Sequence, residues 1–493
     1  MKKVFFVVAL LCTCSVFAQK KITQVAEVNQ YAPSFQVWKG EGQNRYVNFR
    51  RPSSYYSTDC LVAIPEDGSD AKVYKCTRPD DYNWKQMACF EGSEEFFFLY
   101  KFNDYKNNRY VFYRNILLKD DEKHEWKPEQ LFSLPKIDDV SFSERTVVSP
   151  DYRKASLLLL ATSGKKNNLR GSMAMLFDET GLSWRTDVNM DFSETNLQIL
   201  DMAMGNDGMI YVAILSYEND GKGVRSETLH FCEIGPDGFA EVASNVDFGH
   251  VTGAKMIVRR DGTVAVGGYY AADMQKKEGG CFMAVYDNVR IVNFSHQDFP
   301  SEYYAYTFPG NGAKAEFFSV YPMEFFEFSN GTLAFLGDMQ SFSMYETFSG
   351  NIIVNFVDEN GDFAGFKMVD KNQLYMGNQS SPKGLRQSLL SYYALFEDDS
   401  IHIFFSDNPK NYSGSSRQVC NIQTTFFTSK LKFKPHCAVH CVIGADKQIT
   451  PPALLMKYAD VGTYLKEPLF VFGKELYFYH FQDKYFRISK MEL

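Results

Sequence analysis

Short runs of alternating apolar and polar residues, separated by turn residues, fill the middle of the chain. Asp207-Gly208 separates the apolar runs 202–204 and 209–215, and Asp261-Gly262 separates 255–258 from 263–268. Asp-Gly between two such runs is a strong signal for a β-hairpin. Each of these two predicted hairpins is followed by a second hairpin signal. The segment 202–299 therefore predicts two consecutive units of four antiparallel strands, which we label a to d.

The same a–b turn signal recurs along the whole sequence, at intervals of roughly 50 to 75 residues. The predicted turns are Gly42-Gln43, Gly92-Ser93, Asp151-Tyr152, Asp207-Gly208, Asp261-Gly262, Asn330-Gly331, Asp398-Asp399 and Gly473-Lys474. Four-strand units repeated at this period are typical of a β-propeller. We predict an all-β fold of eight four-stranded antiparallel blades. Seven blades is the alternative, because the first unit has a weak a strand near residues 35–39.

The two ends of the chain predict how the ring closes. The last unit stops after the β-like run 485–489 and lacks a fourth strand, whereas the run 22–28 belongs to no complete unit. An open ring would leave two sheet edges exposed, and pairing the two termini within one blade removes them. We therefore expect the segment around Ala26 to lie beside Phe486 in the last blade.

The repeated units resemble those of β-propeller proteins over nearly all of the mature chain. In one unit Gly267-Gly268-Tyr269, followed by Val285-Tyr286-Asp287, resembles the double-glycine pattern of kelch repeats. The glycine-histidine and tryptophan-aspartate pairs of WD40 repeats are absent. The serine–aspartate–glycine–tryptophan box of sialidase-like propellers is absent too. The resemblance implies a fold and carries no function with it.

The first residues are typical of a secretory signal. Two lysines follow Met1, residues 4–11 are apolar, and Ala18 precedes a polar segment. We predict a signal peptide over 1–18, a single propeller domain over 19–493, and export to the periplasm or the cell exterior. A lipid anchor on Cys14 is disfavoured, because residues 11–13 lack the small side chains of a lipoprotein signal. No later segment approaches the roughly 18 apolar residues of a transmembrane helix.

Charge and cysteine content narrow the possibilities further. The net charge is −8 and no basic block is present, so we expect no nucleic-acid partner. The chain has 10 cysteines, and two lie in the predicted signal. Cys60 and Cys76 are equidistant from Gly68 in a predicted hairpin turn, which favours a cross-strand disulfide. Two buried thiols are the alternative.

Two segments contain residues that bind metals in other proteins. His436-Cys437 and His440-Cys441 suggest zinc, but on a strand the histidines lie on one face and the cysteines on the other. Members of each pair would be about 13 Å apart, too far for one ion. We expect packing, or a disulfide to Cys420. The acidic segment 358–362 is better explained as a hairpin turn than as a calcium loop. We therefore expect no metal or cofactor.

No catalytic motif is present, so ligand binding is predicted from geometry. The b–c and d–a loops share one rim of a propeller. At 16% aromatic content, a loop of about ten residues would contain one or two rings by chance. Three long connections, 300–315, 371–386 and 450–468, favour the rim of blades five to eight. The candidate ligand-binding residues are Tyr269, Tyr270, Tyr303, Tyr304, Tyr345, Tyr375 and Tyr412.

Three hypotheses about function follow. The first is a binding scaffold that recognises a protein or a glycan through one rim of the disc. The second is a polysaccharide-directed hydrolase or lyase, whose acid and base carboxylates line the central channel on several a strands. The third is a structural component of an envelope assembly. Carboxylates in an open channel would favour the second hypothesis, and a plugged channel the first. The sequence gives no indication of the oligomeric state.

Overall fold

The computed structural model describes 18 segments of the chain. They are residues 21–28, 34–40, 44–50, 58–78, 83–121, 123–138, 140–163, 169–188, 196–219, 225–272, 279–300, 319–342, 346–376, 392–413, 418–422, 436–458, 467–482 and 485–493. The predicted signal peptide lies outside them. Within these segments no helix has the length and apolar character needed to cross a membrane.

The first four blades follow one another along the chain. After β1 (Thr23–Glu27), blade 1 contains β2 (Ser34–Lys39), β3 (Asn44–Arg50), β4 (Thr58–Pro65) and β5 (Lys72–Thr77). Blade 2 contains β6 (Trp84–Glu91), β7 (Glu95–Asp104), β8 (Arg109–Leu118) and, after the short β9 (Lys123–His124), β10 (Glu129–Pro135). Blade 3 contains β11 (Val140–Val148), β12 (Ala155–Ser163), β13 (Leu169–Asp178) and β14 (Gly181–Val188). Blade 4 contains β15 (Asn196–Met204), β16 (Ile210–Asn219), β17 (Arg225–Gly235) and β18 (Gly238–Val246).

The other four blades complete the ring. Blade 5 contains β19 (His250–Val258), β20 (Val264–Ala271), β21 (Gly279–Asp287) and β22 (Arg290–Asp298). Blade 6 contains β23 (Ser319–Glu327), β24 (Leu333–Phe342), β25 (Glu346–Val357) and β26 (Phe363–Val369), with β27 (Gln373–Met376) added to it. Blade 7 contains β28 (Tyr392–Glu397), β29 (Ser400–Asp407), β31 (Cys437–Gly444) and β32 (Ala453–Lys457). Its b–c connection holds a 3₁₀ turn (Pro409–Tyr412) and β30 (Cys420–Ile422). Blade 8 contains β33 (Glu467–Phe472), β34 (Glu475–Gln482) and β35 (Tyr485–Glu492).

The predicted closure of the ring is confirmed. β1 pairs antiparallel with β35, and Ala26 lies opposite Ile488. The order β1-β35-β34-β33 makes β1 the outer strand of blade 8. The side chains of Ala26 and Val28 are buried in the core between blades 8 and 1. The chain therefore closes an eight-bladed propeller with its own N-terminal strand, as the sequence predicts.

The turn residues explain why the hairpins form where they do. Gly208, Gly262 and Gly331 have φ angles of 95°, 89° and 80°, a region that disfavours side chains with a Cβ. The carboxylate of Asp207 accepts a hydrogen bond from the Met209 N–H at 3.0 Å, which fixes the turn locally. The acidic segment 358–362 is likewise a turn between β25 and β26.

Apolar side chains fill the spaces between neighbouring blades. One core cluster combines Leu158 and Leu176 of blade 3 with Val212 and Ile214 of blade 4. Another combines Phe96 of blade 2 with side chains of blade 1. Each fully buried Leu, Ile or Phe side chain contributes about 1.5–3 kcal/mol relative to an exposed one. The stability of the ring therefore depends on eight inter-blade layers.

Three short strands extend the sheets of two blades at their periphery. β9 adds a parallel pairing to β5, so that a segment of blade 2 extends the sheet of blade 1. β27 pairs with the first half of β25, and β30 pairs parallel with β27. The connection between β29 and β31 of blade 7 is thus joined to the sheet of blade 6. This extension lies in the sector where the sequence predicts long functional loops.

The predicted disulfide is wrong. Across the hairpin, Cys60 lies opposite Lys75 and Cys76 lies opposite Asp59, so the register differs by one residue from the symmetric one. Because strand side chains alternate between faces, the two thiols enter different inter-blade cores. All eight cysteines in the described part of the chain are free and buried. The alternative of two buried thiols is the correct one.

Candidate functional site

The inner edge of the ring is formed by the a strands. Hydrogen bonds join these strands from one blade to the next: Thr146 Oγ1 donates to Met87 O at 3.0 Å, and Thr252 Oγ1 donates to Val320 O at 2.9 Å. The Asp201 carboxylate accepts the backbone N–H of Met256 at 2.9 Å. These contacts place β6, β11, β15, β19 and β23 side by side around the central channel.

Four charged residues occupy one level of this channel. Arg145, Asp201, Lys255 and Glu324 lie on the a strands of blades 3, 4, 5 and 6. All four strands are nine residues long, and each charged residue stands three positions before the end of its strand. The charges alternate in sign around the axis. We call this set the charged arc.

The other four blades have uncharged residues at the equivalent position. These residues are Gln36, Ala88, Ala394 and Leu469. Ala88 and Leu469 are buried in the cores between blades, so these two positions do not face the channel.

Local backbone irregularities help to direct the two acidic side chains. The pairing between β15 and β16 shifts register at Leu200, and the pairing between β23 and β24 shifts at Met323. The bulged residues immediately precede Asp201 and Glu324. A β-bulge re-aims the side chains beside it and is common next to functional sites.

Lys255 lies between the two acidic residues of the arc. Its ammonium nitrogen is 3.8 Å from Asp201 Oδ1. Burial raises the pKa of Asp201, while the Lys255 charge, the backbone N–H groups of Met256 and Met202, and Arg145 oppose that rise. Asp201 is thus held within a set of donors and positive charges.

Glu324 has the most unusual environment of the four. The residue is exposed to water, while neighbouring protein atoms partly desolvate its carboxyl group. This desolvation raises the pKa of Glu324 to about 7, with Asp201 adding to the rise and Lys255 opposing it. The carboxyl group is therefore available as a proton donor near neutral pH.

Glu144, a neighbour of Arg145 on β11, provides a contrast. Burial alone would raise its pKa, but hydrogen bonds from Lys101 at 2.8 Å and Lys85 at 2.5 Å outweigh burial and lower it. Glu144 is therefore an ion-paired carboxylate. Two glutamates on the a strands thus have opposite protonation tendencies, a difference typical of sites for acid–base chemistry.

Contacts at the a–b turn end of the channel tie non-adjacent blades together. The Tyr152 hydroxyl of blade 3 donates to Val37 O of blade 1 at 3.0 Å, and its ring stacks on Trp38 at 5.0 Å. Arg45 of blade 1 forms a 2.8 Å ion pair with Glu397 of blade 7. These bridges lie at the turn end of the disc.

A buried ion pair lies deeper in blade 6. Lys371 and Asp338 are fully buried, and their charged atoms are 2.7 Å apart. Ser349 donates to the same carboxylate at 2.9–3.0 Å. Burial lowers the pKa of Lys371, and Asp338 opposes that change. The pair lies where the chain passes from blade 6 to β27, so it anchors this extension of the sheet.

Two of the predicted ligand-binding tyrosines are in the wrong place for that role. Tyr269 and Tyr270 lie within β20 and are 0% and 3% exposed. Asn355 donates to the Tyr269 hydroxyl at 2.8 Å, and the Tyr270 hydroxyl donates to Asp298 at 2.6 Å. The expectation that their rings stand in a rim loop is wrong, because β20 continues to Ala271.

The other predicted tyrosines have different outcomes. Tyr412 lies in the b–c connection of blade 7, and its partly buried side chain donates to Asp407 at 2.7 Å. Tyr375 lies on β27, opposite Thr347 of β25. Tyr303, Tyr304 and Tyr345 lie outside the described residues, so their role stays a prediction. The structure does not bring the described members of this set together.

The histidine–cysteine segment has the predicted alternation. Cys437 and Cys441 are buried in the core between blades 6 and 7, while His440 stacks on Phe404 on the opposite face. Cys420 Sγ lies 3.3 Å from His436 Nδ1 and forms no disulfide. Within the described segments, no three histidine, cysteine or acidic side chains are grouped to hold a metal ion.

Comparisons with known proteins give no family for this chain. No family model and no curated protein matches it. Among solved structures, prolyl oligopeptidase B from Galerina marginata is 8% identical, with a TM-score of 0.41 over 85% of this chain. The matched region is 51% of that enzyme, so this chain spans about half of its length.

Two polysaccharide lyases are also similar. Polysaccharide lyase Uly1 is 8% identical, with a TM-score of 0.38 over 94% of this chain and 90% of its own. A PL25 ulvan lyase is 8% identical, with a TM-score of 0.37 over 68% of this chain and 78% of its own. At such scores none of these likenesses bears on activity.

Sequence reasoning missed the charged arc, although its members stand six residues before successive a–b turns.

Proposed function

We propose that this protein is an exported propeller that binds a polysaccharide in its central channel and cleaves it there. The observation that supports this most is the charged arc, in which a glutamic acid with a pKa of about 7 faces a channel lined by a second carboxylate and two cations. This is the arrangement of channel carboxylates on several a strands that the second hypothesis requires. The ligand would enter from the b–c loop end.

Each member of the arc has a role in this proposal. Glu324, whose pKa is raised to about 7, donates its proton to the glycosidic oxygen as the carbon–oxygen bond breaks. Asp201 accepts a proton, either from water that attacks the sugar or from a sugar carbon during elimination. Lys255 and Arg145 bind acidic groups of the polymer and oppose the rise that burial causes in the pKa of Asp201.

The test is an activity screen on neutral and uronic-acid polysaccharides. New reducing ends report any cleavage, and ultraviolet absorbance of an unsaturated product distinguishes elimination from hydrolysis. Glu324→Gln and Asp201→Asn should each lower the rate about 10²–10⁴-fold. Glu144→Gln is the matched control, because that carboxylate is ion-paired, and this variant should retain most activity. If Glu324→Gln cleaves as fast as the parent, the proposal is wrong.

A second candidate function is a rim-binding scaffold, which one specific observation favours. Tyr105, in the b–c loop of blade 2, is 69% exposed, and Ile137 in the adjoining d–a loop is 55% exposed. Lys136 Nζ lies 3.7 Å from the centre of the Tyr105 ring and covers one of its faces. An exposed ring beside an aliphatic side chain can stack on a sugar or grip a peptide.

A glycan and peptide binding screen tests this scaffold. Tyr105→Ala should weaken binding at least about tenfold if the ring is an anchor. Leu182→Ala is the control, since Leu182 is exposed in the c–d hairpin of blade 3 at the opposite end of the disc. Equal binding by the Tyr105→Ala variant and the parent would exclude this patch. The rim tyrosines Tyr303 and Tyr304 can be tested in the same screen.

A further inference from the structure

Three side chains in blade 4 form a continuous hydrogen-bonded series outside the charged arc. Ser216 Oγ lies 2.7 Å from His230 Nε2. His230 Nδ1 lies 2.5 Å from Glu241 Oε1. Ser216 and His230 are buried, whereas 28% of the Glu241 side chain is exposed. The series therefore runs from the core of the blade to its surface.

The sheet register explains why these residues meet. His230 lies opposite Ile214 on β16, two residues from Ser216, and opposite Ala243 on β18, two residues from Glu241. Residues two apart on a strand share a face, and diagonal neighbours on adjacent strands are within reach of long side chains. The hydroxyl, imidazole and carboxylate are thus brought together by three consecutive strands.

The donor directions follow from the chemistry of the groups. A carboxylate only accepts hydrogen bonds, so His230 donates from Nδ1 to Glu241. Its Nε2 then has a free lone pair and accepts the hydroxyl hydrogen of Ser216. A serine with its hydroxyl on a neutral imidazole that a carboxylate orients is an activated nucleophile.

A second serine–histidine pair in the same fold shows what is distinctive about blade 4. In blade 8, His480 Nε2 lies 2.7 Å from Ser489 Oγ, and both residues are buried. Burial, together with the nearby guanidinium of Arg487, lowers the pKa of His480 to about 4. The pair in blade 8 is a poor base, and Ser489 is a natural internal control.

We propose that Ser216, His230 and Glu241 form a second reactive site, at which Ser216 attacks small acyl esters. Ser216 Oγ forms a bond to the carbonyl carbon while its proton passes to His230 Nε2. The ester carbon–oxygen bond then breaks, and the alcohol leaves with that proton. Water releases the acid in a second step, through the same histidine. Ser216 stands three residues before the end of β16 at Asn219, and a small ester would reach it from that end.

The experiment uses the full mature chain and a fluorophosphonate probe, which forms a phosphorus–oxygen bond to an activated serine and releases fluoride. Peptide mass spectrometry locates the label, and p-nitrophenyl acetate hydrolysis gives a rate. Labelling and hydrolysis should be lost in Ser216→Ala and in His230→Gln. They should fall at least about tenfold in Glu241→Gln, because the imidazole loses its orienting carboxylate.

Controls separate a reactive site from a purely structural hydrogen-bond series. Ser489→Ala should label and hydrolyse like the parent, and the circular dichroism and melting temperature of each variant show whether it folds. Polysaccharide cleavage and labelling of Ser216 are separate readouts that depend on separate residues, so failure here is distinguishable from failure of the channel proposal. If the folded parent is not labelled at Ser216, or if Ser216→Ala retains the full esterase rate, the proposal is overturned.

Discussion

The titration of Glu324 is the sharpest consequence of the charged arc. Enclosure in the channel raises its pKa from the ordinary 4.5 to about 7. Lys255→Met removes the cation that opposes this rise, so the pKa of Glu324 should increase further. Asp201→Asn removes the neighbouring negative charge, so the pKa should decrease. Two substitutions on adjacent blades should therefore move one titration in opposite directions.

The same shift predicts how the stability changes with pH. At 1.36 kcal/mol per pKa unit, the rise from 4.5 to about 7 corresponds to about 3 kcal/mol. Because water in the channel reaches the carboxyl group, screening reduces the expected effect to about 1–2 kcal/mol. The folded state binds the proton more tightly than the unfolded state. The contribution is thus fully present below pH 4.5 and is lost as the pH rises through about 7.

Two measurements test these statements together. Nuclear magnetic resonance of protein labelled with ¹³C at the glutamate carboxyl follows the titration, and Glu324→Gln assigns the signal. The melting temperature of the parent minus that of Glu324→Gln should fall by about 1–4 °C between pH 5 and pH 8. A Glu324 signal that titrates near 4.5, or equal shifts of one sign in the two neighbouring variants, would refute the reasoning.

Three further predictions concern the fold. Lys371→Met should destabilise the protein by about 3–5 kcal/mol, since it leaves the buried Asp338 carboxylate unpaired, and adding Asp338→Leu should restore part of the loss in thermal unfolding. Lys367→Met, at a partly exposed lysine of the same blade, is its control. Deletion of residues 21–27 should expose the edge of β35 and cause self-association, measurable by light scattering, whereas a monomer of unchanged stability would contradict the closure. A thiol reagent should modify the eight buried cysteines only after unfolding, and rapid reaction of the native protein would show that a core is open.

Much of the fold follows from local signals in the sequence. Turns such as Asp207-Gly208 and Asn330-Gly331 require backbone conformations that few residues adopt, so their positions set the hairpins. The β-like run near Ala26 belongs to no complete unit, and the last unit lacks a fourth strand. Together these two features predict that the termini pair to close the ring, and Ala26 does lie opposite Ile488. These features depend on residues close together in sequence or on a simple count of strands.

Features that depend on register were not predictable in this way. Symmetry about Gly68 places Cys60 opposite Cys76, but a shift of one residue in the hairpin separates the thiols onto two faces. Tyr269 and Tyr270 follow a double glycine that resembles the end of a strand, yet the strand continues past them. The Ser216–His230 contact likewise depends on diagonal neighbours across two strands, which spacing in the sequence does not reveal.

The charged arc differs from both cases, because its four members share one spacing in the sequence, six residues before an a–b turn. On the other four blades the residue three positions before the end of the a strand is Gln36, Ala88, Ala394 or Leu469, and these blades pack into the ring equally well. Closing the propeller therefore does not require charge at this level. Placing charges in a partly enclosed channel costs desolvation energy, which the raised pKa of Glu324 reflects. A cost that the fold does not require is best explained by a ligand that the channel binds.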